Sequence, residues 1–536
     1  MTPSCVLFED EQLLVVNKPA GWNTHAPAPF AGEGIYDWLR HREPRWASLA
    51  ILHRLDKETS GVLVFGKTPL ANQSLSEQFE QRTVTKRYLL LTDRPVPAGE
   101  LSVRSNIVRT GDRYASVPSG LGGEPAETHF SAHAVVPSAA AMPAGAGLIE
   151  AHPLTGRTHQ IRVHAAASGF PILGDTLYGG TAAAPVYLHA SAITLRHPAS
   201  GEPVTYRAPE NWTEDPRLAL RAALAEASAT NACRLNHGAA DGWPGWQVER
   251  LGEFLLSQSE VAPLDAQREL LAEWLKRFGL LGAYHKRLDR RVRQASVEQA
   301  SPQLLLGTAA PERFSALENG LQFELSFTEG YSYGLFLDQR DNRRRLSTGH
   351  VARDFQLPIC NSQCSILNTF AYTCAFSVAG AKAGAHTTSL DLSRKYLEWG
   401  RRNFTLNGLD PAAHDFIYGD VFDWLRRLAK KGRQFDLVLL DPPTFSQSKE
   451  SGAFRAEKDY GRLVALALPL LKPGGVLFAS TNCASLAPED FLATLEATIQ
   501  RAGRRLLQQH YAPQPPDFPI TRDEPAYLKT VWMRLG

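Results

Sequence analysis

The strongest constraint on the fold is a change of pattern along the chain. From about residue 312 onward, apolar strands alternate with helical stretches, whereas residues 1–212 are mostly short strands separated by turns. Regular alternation of strands and helices is typical of a doubly wound, mainly parallel sheet, and runs of short strands indicate a mainly β domain. Single cores stop growing near about 250–300 residues, and this chain has 536. The sequence therefore predicts several domains of different architecture, an α/β and α+β multidomain fold.

Four segments follow from this pattern. Residues 1–212 are predicted to form the mainly β domain, and an alanine-rich stretch that begins at Pro216 is predicted to be a helical linker over 213–231. Residues 232–311 are expected to form a small α+β domain with a helix over 264–278. Residues 312–536 are expected to form the doubly wound domain, with strands over 365–370, 386–390, 435–440 and 475–479.

Composition excludes several classes of protein. The 57 basic and 55 acidic residues give a net charge of +2, which rules out a polycation or a disordered acidic chain. The six cysteines are scattered and do not resemble a secreted disulfide framework. The sequence has no apolar run of the roughly 20 residues that a membrane span needs, and its start does not resemble a signal peptide. We therefore expect a soluble cytoplasmic protein with no membrane partner.

Several charged motifs stand beside predicted strands in the first 212 residues. In order they are KPAG (18–21), HRLDKETSG (53–61), KRY (86–88), LTGRTHQIRVH (154–164) and a GD-x-x-YG stretch (174–179). Asp56 lies between cationic side chains, and nearby positive charge favours an ionised carboxylate. Such a pair alone is weak evidence for a site, and its meaning comes from the motifs around it.

These motifs resemble the RluA family of pseudouridine synthases, over roughly residues 5–210. The resemblance implies that Asp56 is the essential carboxylate, that Arg54 helps to evict the target uridine from its stack and that Tyr88 lies against the uracil ring. It also implies that Arg162 pairs with Asp56. The residues leave open whether Asp56 attacks the sugar or removes a sugar proton, and a uridine within a helix must be flipped out. His53, His159 and His164 are expected to be structural, and their spacing predicts no metal site.

A second group of motifs lies in the predicted parallel sheet. Residues 366–377 read as a strand, a turn and the start of a helix, and Asp391 ends the next strand 22 residues after Thr369. That spacing suits a carboxylate that binds the ribose of an adenosine-containing cofactor. Asp420 and Asp441 follow two further strands. Because parallel sheets bind ligands at the carboxyl ends of their strands, all three aspartates are expected to face one crevice.

This region resembles the class I S-adenosylmethionine-dependent methyltransferases with a Rossmann-like fold, and more narrowly the 23S rRNA methyltransferases of the RlmI and RlmK kind. The closer match lies in GLFLDQRDNR (334–343) and in a glycine-rich stretch over 238–252. The resemblance implies that Asp391 binds the cofactor ribose, Asp420 the adenine amine, and that Asp441 lies near the methyl group and target base. Gln339, Arg340, Thr369 and Tyr372 complete the predicted cofactor site. Cys374 and Ala375 replace the usual glycine, and a side chain there is expected to narrow the methionine end of the site.

The methylated base depends on whether the site has a nucleophile. Formation of 5-methylcytidine needs a thiolate that adds to the ring, and Cys483 is the cysteine expected near the crevice. The cytosine-modifying relatives resemble this chain except that their cysteine stands one place earlier, at Asn482. A ring-nitrogen product such as 7-methylguanosine needs no covalent intermediate. We predict a bifunctional enzyme acting on RNA, most simply 23S rRNA, with 5-methylcytidine slightly favoured. The alternatives are tRNA as substrate of the synthase half, or a non-catalytic RNA-binding role for the methyltransferase half.

Overall fold

The chain forms two compact units. The computed structural model describes residues 3–96, 99–135, 146–210, 212–226, 228–288, 297–329, 332–359, 363–448 and 452–536. The first unit contains Met1–Ala26, Gly34–Trp38 and Ser48–Glu226, and the second contains Pro27–Glu33, Leu39–Ala47 and Ala227–Gly536. The main division at residue 226 falls inside the predicted linker. The predicted boundary at 311 lies within the second unit and stays a prediction.

The first unit is built around one sheet of eleven strands. Their order is β1-β2-β4-β10-β5-β9-β8-β6-β7, with β3 beside β4 and β11 beside β10. The strands are β1 Val6–Glu9, β2 Leu13–Lys18, β3 Ala50–Ile51, β4 Ser60–Gly66, β5 Thr85–Thr92, β6 Glu100–Thr110, β7 Arg113–Val117, β8 Glu124–Val135, β9 Gly147–Pro153, β10 Leu188–Arg196 and β11 Pro203–Arg207. Four helices begin in this part of the chain: α1 Ile35–Arg42, α2 Pro69–Glu80, α3 Gln160–Ala167 and α4 Pro216–Leu224.

Two helices cover the large sheet and place its loops. Helix α2 buries Ala71 and Leu75 against Val15, Val62 and Val64 of the central strands. Helix α3 buries Ile161 and Ala165 in a second cluster with residues of β5, β9 and β10. Each strand contributes alternate side chains to these clusters, as the two-residue period of a strand requires. The HRLDKETSG motif lies in the loop between β3 and β4 and at the start of β4. The LTGRTHQIRVH motif precedes α3 and continues into it.

The second unit contains the strands and helices predicted for residues 232–536. Its strands are β12 Ala232–His237, β13 Gln247–Leu251, β14 Phe254–Ser259, β15 Gly282–Arg287, β16 Gln303–Gly307, β17 Phe314–Glu318, β18 Leu321–Leu325, β19 His350–Ala352, β20 Phe355–Gln356, β21 Ser365–Thr369, β22 His386–Asp391, β23 Asp415–Tyr418, β24 Phe435–Leu440, β25 Phe445–Ser448, β26 Gly452–Arg455, β27 Leu471–Thr481, β28 Leu506–Pro513 and β29 Lys529–Leu535. Its helices are α5 Asp265–Phe278, α6 Val297–Ala300, α7 Arg340–Thr348, α8 Ala375–Lys382, α9 Arg394–Leu406, α10 Val421–Lys430, α11 Ala456–Ala467 and α12 Pro488–Arg501.

The main sheet of this unit has seven strands in the order β23-β22-β21-β24-β27-β29-β28. The first five run parallel, and β29 is antiparallel to both of its neighbours. Leu437 and Leu439 pack with α8 and α9 on one face, whereas Val438 and Leu440 pack with α10, α11 and α12 on the other. Burial on both faces explains the unbroken apolar run of β24. The predicted doubly wound sheet is therefore present.

Strand register aligns the ends that carry the predicted site. Thr369 pairs with Leu390 on one side and with Leu440 on the other, and Asp391 pairs with Tyr418. Asp391, Asp420 and Asp441 thus lie at or just past the carboxyl ends of three parallel strands. A separate five-stranded sheet, β12-β13-β14-β15-β16, lies within residues 232–311, and its standing as a domain of its own stays a prediction. Among the described residues, no helix is long and apolar enough to cross a membrane.

Candidate active sites

The first unit contains a cavity of about 720 Å³ that gathers the synthase motifs. Its walls include Arg54, Asp56, Tyr88 and Arg162, all four of the residues predicted for this site. His159, which was expected to be structural, lines the same cavity. The predicted residues come from three separated parts of the chain, so the large sheet brings them together.

Two contacts fix the loop that carries Asp56. The Thr24 hydroxyl bonds the backbone of Leu55, donating to its carbonyl at 2.9 Å and accepting from its N–H at 3.2 Å. The buried Lys18 ammonium donates to the carbonyl oxygens of Pro19, Trp22 and Lys57. Residues 55 and 57 are thereby held on either side of Asp56. Lys18 of the KPAG motif therefore fixes the loop that carries Asp56, whose side chain lines the cavity.

The charge of Asp56 is set by opposing effects. Burial raises the pKa of its carboxyl, and the nearby Glu58 adds to this, whereas His159, Arg162 and Lys18 lower it. Burial also raises the pKa of the Tyr88 hydroxyl, and the charge of Asp56 raises it further. Tyr88 therefore remains protonated and neutral at physiological pH. A carboxylate beside a neutral aromatic ring is the arrangement that the resemblance predicted.

Arg162 has a second carboxylate partner, Asp175, besides the predicted Asp56. Its Nε and Nη2 atoms donate to the two oxygens of Asp175 at 2.7 and 2.8 Å, and both side chains are buried. Its Nη1 atom lies 3.9 Å from Asp56 Oδ2 and 3.7 Å from Glu58. A bidentate pair is the stronger geometry, so Asp175 is the main partner of Arg162 and Asp56 a more distant one. Asp175, which was not predicted as a partner, reaches the same guanidinium from the GD-x-x-YG stretch.

Two of the three histidines expected to be structural are so. His53 accepts the backbone N–H of Val64 through Nε2 at 3.1 Å and stacks on Phe79. His164 is fully buried and bonds the hydroxyl groups of Ser105 and Thr128. Burial lowers the pKa of both imidazoles, which are neutral at pH 7. His164 is fully buried and lies outside the cavity wall, whereas His53 and His159 both line the cavity.

The second unit contains a cavity of about 600 Å³ at the carboxyl edge of its parallel sheet. Asp391, Asp420 and Asp441 all line it, as the strand-end rule predicts. Asp420 also caps α10 by accepting the N–H of Asp423 at 2.9 Å. The same residue therefore caps a helix and lines the cavity. Aromatic residues make up much of the remaining wall: Phe336, Phe370, Tyr372, Tyr396, Phe422 and Phe454.

A strained turn connects β21 to α8 at the edge of this cavity. Phe370, Tyr372 and Cys374 all have left-handed φ angles, of 52°, 48° and 64°. Asp391 secures the turn by accepting the Tyr372 N–H at 2.8 Å, and it also accepts the Ser393 N–H at 2.8 Å. Left-handed non-glycine residues are uncommon and concentrate at functional sites. Asp391 therefore shapes the turn in addition to facing the cavity.

Asp441 lines the cavity and is hydrogen-bonded by Gln339. Gln339 donates through Nε2 to both Asp441 oxygens at 3.2 Å and to the Ser480 hydroxyl at 2.8 Å. Burial, reinforced by Asp338, raises the pKa of Asp441 to about 6 despite these hydrogen bonds. Asp338 was not singled out from the sequence, and it lines the cavity while accepting the Tyr527 hydroxyl at 3.0 Å. A second carboxylate thus stands near Asp441.

Two predicted cofactor residues lie elsewhere. Arg340 does not line the cavity, because its guanidinium makes a buried bidentate pair with Asp517 at 2.9 and 2.7 Å. The fully buried Thr369 donates its hydroxyl to the carbonyl of Leu439 and faces the neighbouring strand. Gln339 and Tyr372, in contrast, line the cavity as predicted. Arg340 and Thr369 therefore make buried hydrogen bonds outside the cavity wall.

The structure separates Cys483 from the cavity. Its side chain is buried, with 4% of the residue exposed, and its sulfur lies 3.3 Å from the Ser485 hydroxyl. Cys483 is not among the lining residues, whereas its neighbour Asn482 is, with its side-chain oxygen accepting the Thr444 hydroxyl at 2.7 Å. Consecutive residues at the end of a strand point in opposite directions. The expectation of a thiolate from Cys483 is not met by this geometry.

The Cys374 side chain also points away from the cavity. It is fully buried and packs against helix α9 at Gly400, where a Cβ atom would lie 2.9 Å from the Cys374 Cβ. Burial raises the pKa of its thiol to about 12, so it is neutral. The Cys374 side chain therefore does not narrow the methionine end of the cavity. It occupies the space left free because residue 400 is glycine.

Two family models match the chain. The model for S-adenosylmethionine-dependent methyltransferases matches residues 263–534. The chain belongs to this methyltransferase family. The model for RNA pseudouridylate synthases matches residues 12–167, and the chain therefore also carries a pseudouridine synthase domain at its N-terminal side.

Named relatives support the same assignment. A ribosomal RNA large subunit methyltransferase of Deinococcus radiodurans is 33% identical over 331 residues, which covers 60% of this chain and 76% of the relative. Ribosomal RNA large subunit methyltransferase I of Klebsiella pneumoniae is 33% identical over 316 residues, covering 58% and 75%. A crystal structure of a methyltransferase complexed with SAH is 30% identical, with a TM-score of 0.51 and coverage of 60% of this chain and 79% of that one.

The methyltransferase cavity fits the family's cofactor, S-adenosylmethionine. Its size is in the range of small-molecule sites, and it combines aromatic walls with three convergent carboxylates. Asp391 and Asp420 offer acceptors for ribose hydroxyls and for an adenine amine, and Phe422 and Leu392 offer apolar contact to a base. When bound, the cofactor supplies an electrophilic methyl group.

Among the residues that the structure describes, one further cluster has metal-ligand atoms close together. Glu33, His41 and His510, all in the second unit, bring such atoms within 4.8 Å of one another. Glu33 already bonds His41 at 2.6 Å and the Arg345 guanidinium at 3.3 Å. A cationic guanidinium on the central carboxylate disfavours a metal ion, and we assign none to this methyltransferase.

Proposed function

We propose that the protein modifies RNA twice: the first unit converts a uridine to pseudouridine, and the second methylates a base of large-subunit ribosomal RNA. The synthase proposal depends on Asp56, the carboxylate that faces the 720 Å³ cavity from a clamped loop. The rRNA target is carried over from the named relatives, which are ribosomal RNA large subunit methyltransferases.

In the synthase site, each of the predicted residues that line the cavity has a separate role in the proposed reaction. Asp56 is the ionised group that acts on the ribose, Tyr88 offers a neutral ring for the detached uracil, and the exposed Arg54 lies at the entrance. Arg162, held by Asp175, supplies positive charge beside Asp56. These roles suit an isomerisation in which uracil leaves the sugar, rotates and rejoins through carbon.

In the methyltransferase site, the geometry favours a ring-nitrogen acceptor such as guanine N7 over carbon 5 of cytosine. Asn482 lines the cavity and the Cys483 sulfur does not. Without a thiolate that adds to the ring, carbon 5 of cytosine is not activated. A ring nitrogen has its own lone pair, so placement beside the methyl donor is sufficient. 5-Methylcytidine, which the sequence slightly favoured, stays the alternative product.

The direct test for the synthase half is mass analysis of nucleosides after reaction with unmodified RNA. Large-subunit rRNA transcripts and tRNA transcripts are incubated with the parent protein and with Asp56→Asn. We expect pseudouridine with the parent only and the same methylated product with both proteins. Pseudouridine formation by Asp56→Asn near the parent rate would contradict the assigned role, and conversion of tRNA alone would move the synthase substrate to tRNA.

The test for the methyl acceptor uses RNA that contains 5-fluorocytidine. A cytosine methyltransferase with a thiolate becomes trapped on this base, because fluorine does not leave as a proton does. We expect no covalent adduct, full methylation by Cys483→Ala, and a ring-nitrogen product such as 7-methylguanosine. An adduct that forms with the parent and not with Cys483→Ala would instead support 5-methylcytidine.

A further inference from the structure

We propose that His159 is a positioning residue of the synthase site, whose Nε2–H orients the Asp56 carboxylate, and that Tyr178 fixes the tautomer this requires. The inference rests on the proposed synthase activity. It gives a role to a histidine that the sequence suggested was structural, and to the tyrosine of the GD-x-x-YG stretch, which the synthase mechanism above does not use.

The backbone at His159 is the first observation. The residue has φ 56° and ψ 18°, a left-handed conformation, immediately before helix α3. Ser, Thr, Asp and Asn often cap a helix from this position, whereas the His159 side chain makes no cap hydrogen bond. The conformation instead directs the ring into the cavity beside Asp56. Strain of this kind is retained where the surroundings demand one side-chain position.

The hydrogen bonds of the ring assign its proton. His159 Nδ1 lies 2.7 Å from the Tyr178 hydroxyl, and that hydroxyl oxygen accepts the backbone N–H of Tyr114 at 3.0 Å. Nε2 lies 4.0 Å from Asp56 Oδ2. Burial lowers the pKa of His159, so the neutral ring has a single N–H. The carboxylate favours this proton on Nε2, and Nδ1 then accepts the Tyr178 O–H.

Arg162 cannot take this role by itself. Two of its nitrogens are held by Asp175, and the third is divided between Asp56 at 3.9 Å and Glu58 at 3.7 Å. The Asp56 Oδ2 atom therefore has an imidazole and a guanidinium at nearly equal distance. Hydrogen bonds of catalytic groups are often long in the free enzyme and shorten when substrate binds, so a small movement of Asp56 brings Nε2 into range.

The charges around Asp56 determine the sign of the effect. The groups that interact with it are Glu58 on its own loop, Lys18 on β2, Tyr88 on β5, His159 and Arg162 at α3, and Tyr178 in the following turn. Asp175 acts on His159 and Arg162, and Lys57 acts on Lys18. Loss of the Nε2–H removes a donor that stabilises the ionised Asp56, while Glu58 remains. The ionised carboxylate then becomes less stable, so synthase activity requires a higher pH.

The experiment measures the pH dependence of pseudouridine formation by the full chain. Substrate RNA carries tritium at carbon 5 of uridine, since pseudouridine formation releases that hydrogen to water. Single-turnover rates are compared between about pH 4.5 and 8 for the parent, His159→Ala, His159→Gln and Tyr178→Phe. His129→Gln is the matched control, because this exposed histidine bonds only Glu127 among the contacts described and lies outside the cavity wall.

We expect His159→Ala to move the acid limb of the profile upward by about one pH unit, the usual size for loss of one stabilising partner of a carboxylate. His159→Gln, which returns an N–H donor, should restore most of the shift, and Tyr178→Phe should give an intermediate one. The control should match the parent. A rate loss in His159→Ala without any shift would show a merely structural role and overturn the proposal, as would failure of His159→Gln to restore the limb.

Other outcomes are equally decisive. If His159→Ala does not fold, His159→Gln and Tyr178→Phe decide, and an unshifted limb in Tyr178→Phe overturns the role of the tautomer. If the parent releases no tritium from any rRNA or tRNA tested, the proposed synthase function itself fails. An active parent with unshifted variants refutes only the inference.

Discussion

Replacement of Asp441 by asparagine should stabilise the second unit while impairing methyl transfer. Burial raises the pKa of Asp441 from 3.8 to about 6, which means that the folded state holds its ionised carboxylate at a cost. About two pKa units at 1.36 kcal/mol each give roughly 3 kcal/mol. Loss of the acceptor for Gln339 Nε2 offsets about 1 kcal/mol of this. We therefore expect a net gain of about 1–2 kcal/mol at pH 8.

The pH dependence provides the sharper test. Because the folded pKa of Asp441 is raised, its contribution to stability is fully present below the unfolded pKa of 3.8 and is lost as the pH rises through about 6. Between pH 8 and pH 5 the advantage of Asp441→Asn over the parent should shrink by about 1.4 kcal/mol. Calorimetry should follow the thermal transition that S-adenosylhomocysteine shifts, since a ligand stabilises the unit that binds it.

The control lies on β24, the strand that Asp441 follows, and should behave in the opposite way. Lys472 and Ser365 lower the pKa of Asp436 against the effect of burial. Asp436→Asn should therefore destabilise the unit at pH 8, and this loss should persist down to the unfolded pKa of 3.8 and fade only as the pH falls below it. The reasoning about Asp441 is refuted if Asp441→Asn is less stable than the parent at pH 8, or if its advantage does not depend on pH.

Two further changes test the cofactor site. Asp391→Ala should weaken S-adenosylmethionine binding by about 1.5–3 kcal/mol, or roughly 10–150-fold in Kd, in titration calorimetry; Asp410→Ala, which removes a similar cap outside the cavity, should bind normally. Equal loss in both variants would mean that the effect is structural. Gly400→Ala should lower stability by about 1–3 kcal/mol through overlap with Cys374, and Cys374→Gly in that background should recover most of it. Absence of recovery would disprove the complementarity of the two positions.

The sequence predicted those site residues whose positions follow from the pattern of strands and helices alone. Asp391, Asp420 and Asp441 were found because parallel strands end at one edge, and that rule needs only the strand pattern. It gave no information on Arg340, whose partner Asp517 is 177 residues away. Arg162 shows the same limit at shorter range, since Asp56 and Asp175 stand in two separate motifs and spacing does not choose between them. Partner choice among charged groups depends on tertiary distances.

The turn before α8 shows why a departure from a family pattern must be evaluated together with its neighbours. From the sequence, a side chain at position 374 is expected to narrow the cofactor site, because glycine normally lets the ligand approach the turn closely. In the fold, Cys374 keeps the left-handed backbone conformation, and its side chain lies against α9, where residue 400 is glycine. Asn403 on the same helix donates to the Thr373 carbonyl at 2.9 Å and holds the turn in place. The cavity wall is thus formed by the backbone and by Tyr372, so the absence of glycine at 374 does not argue against cofactor binding.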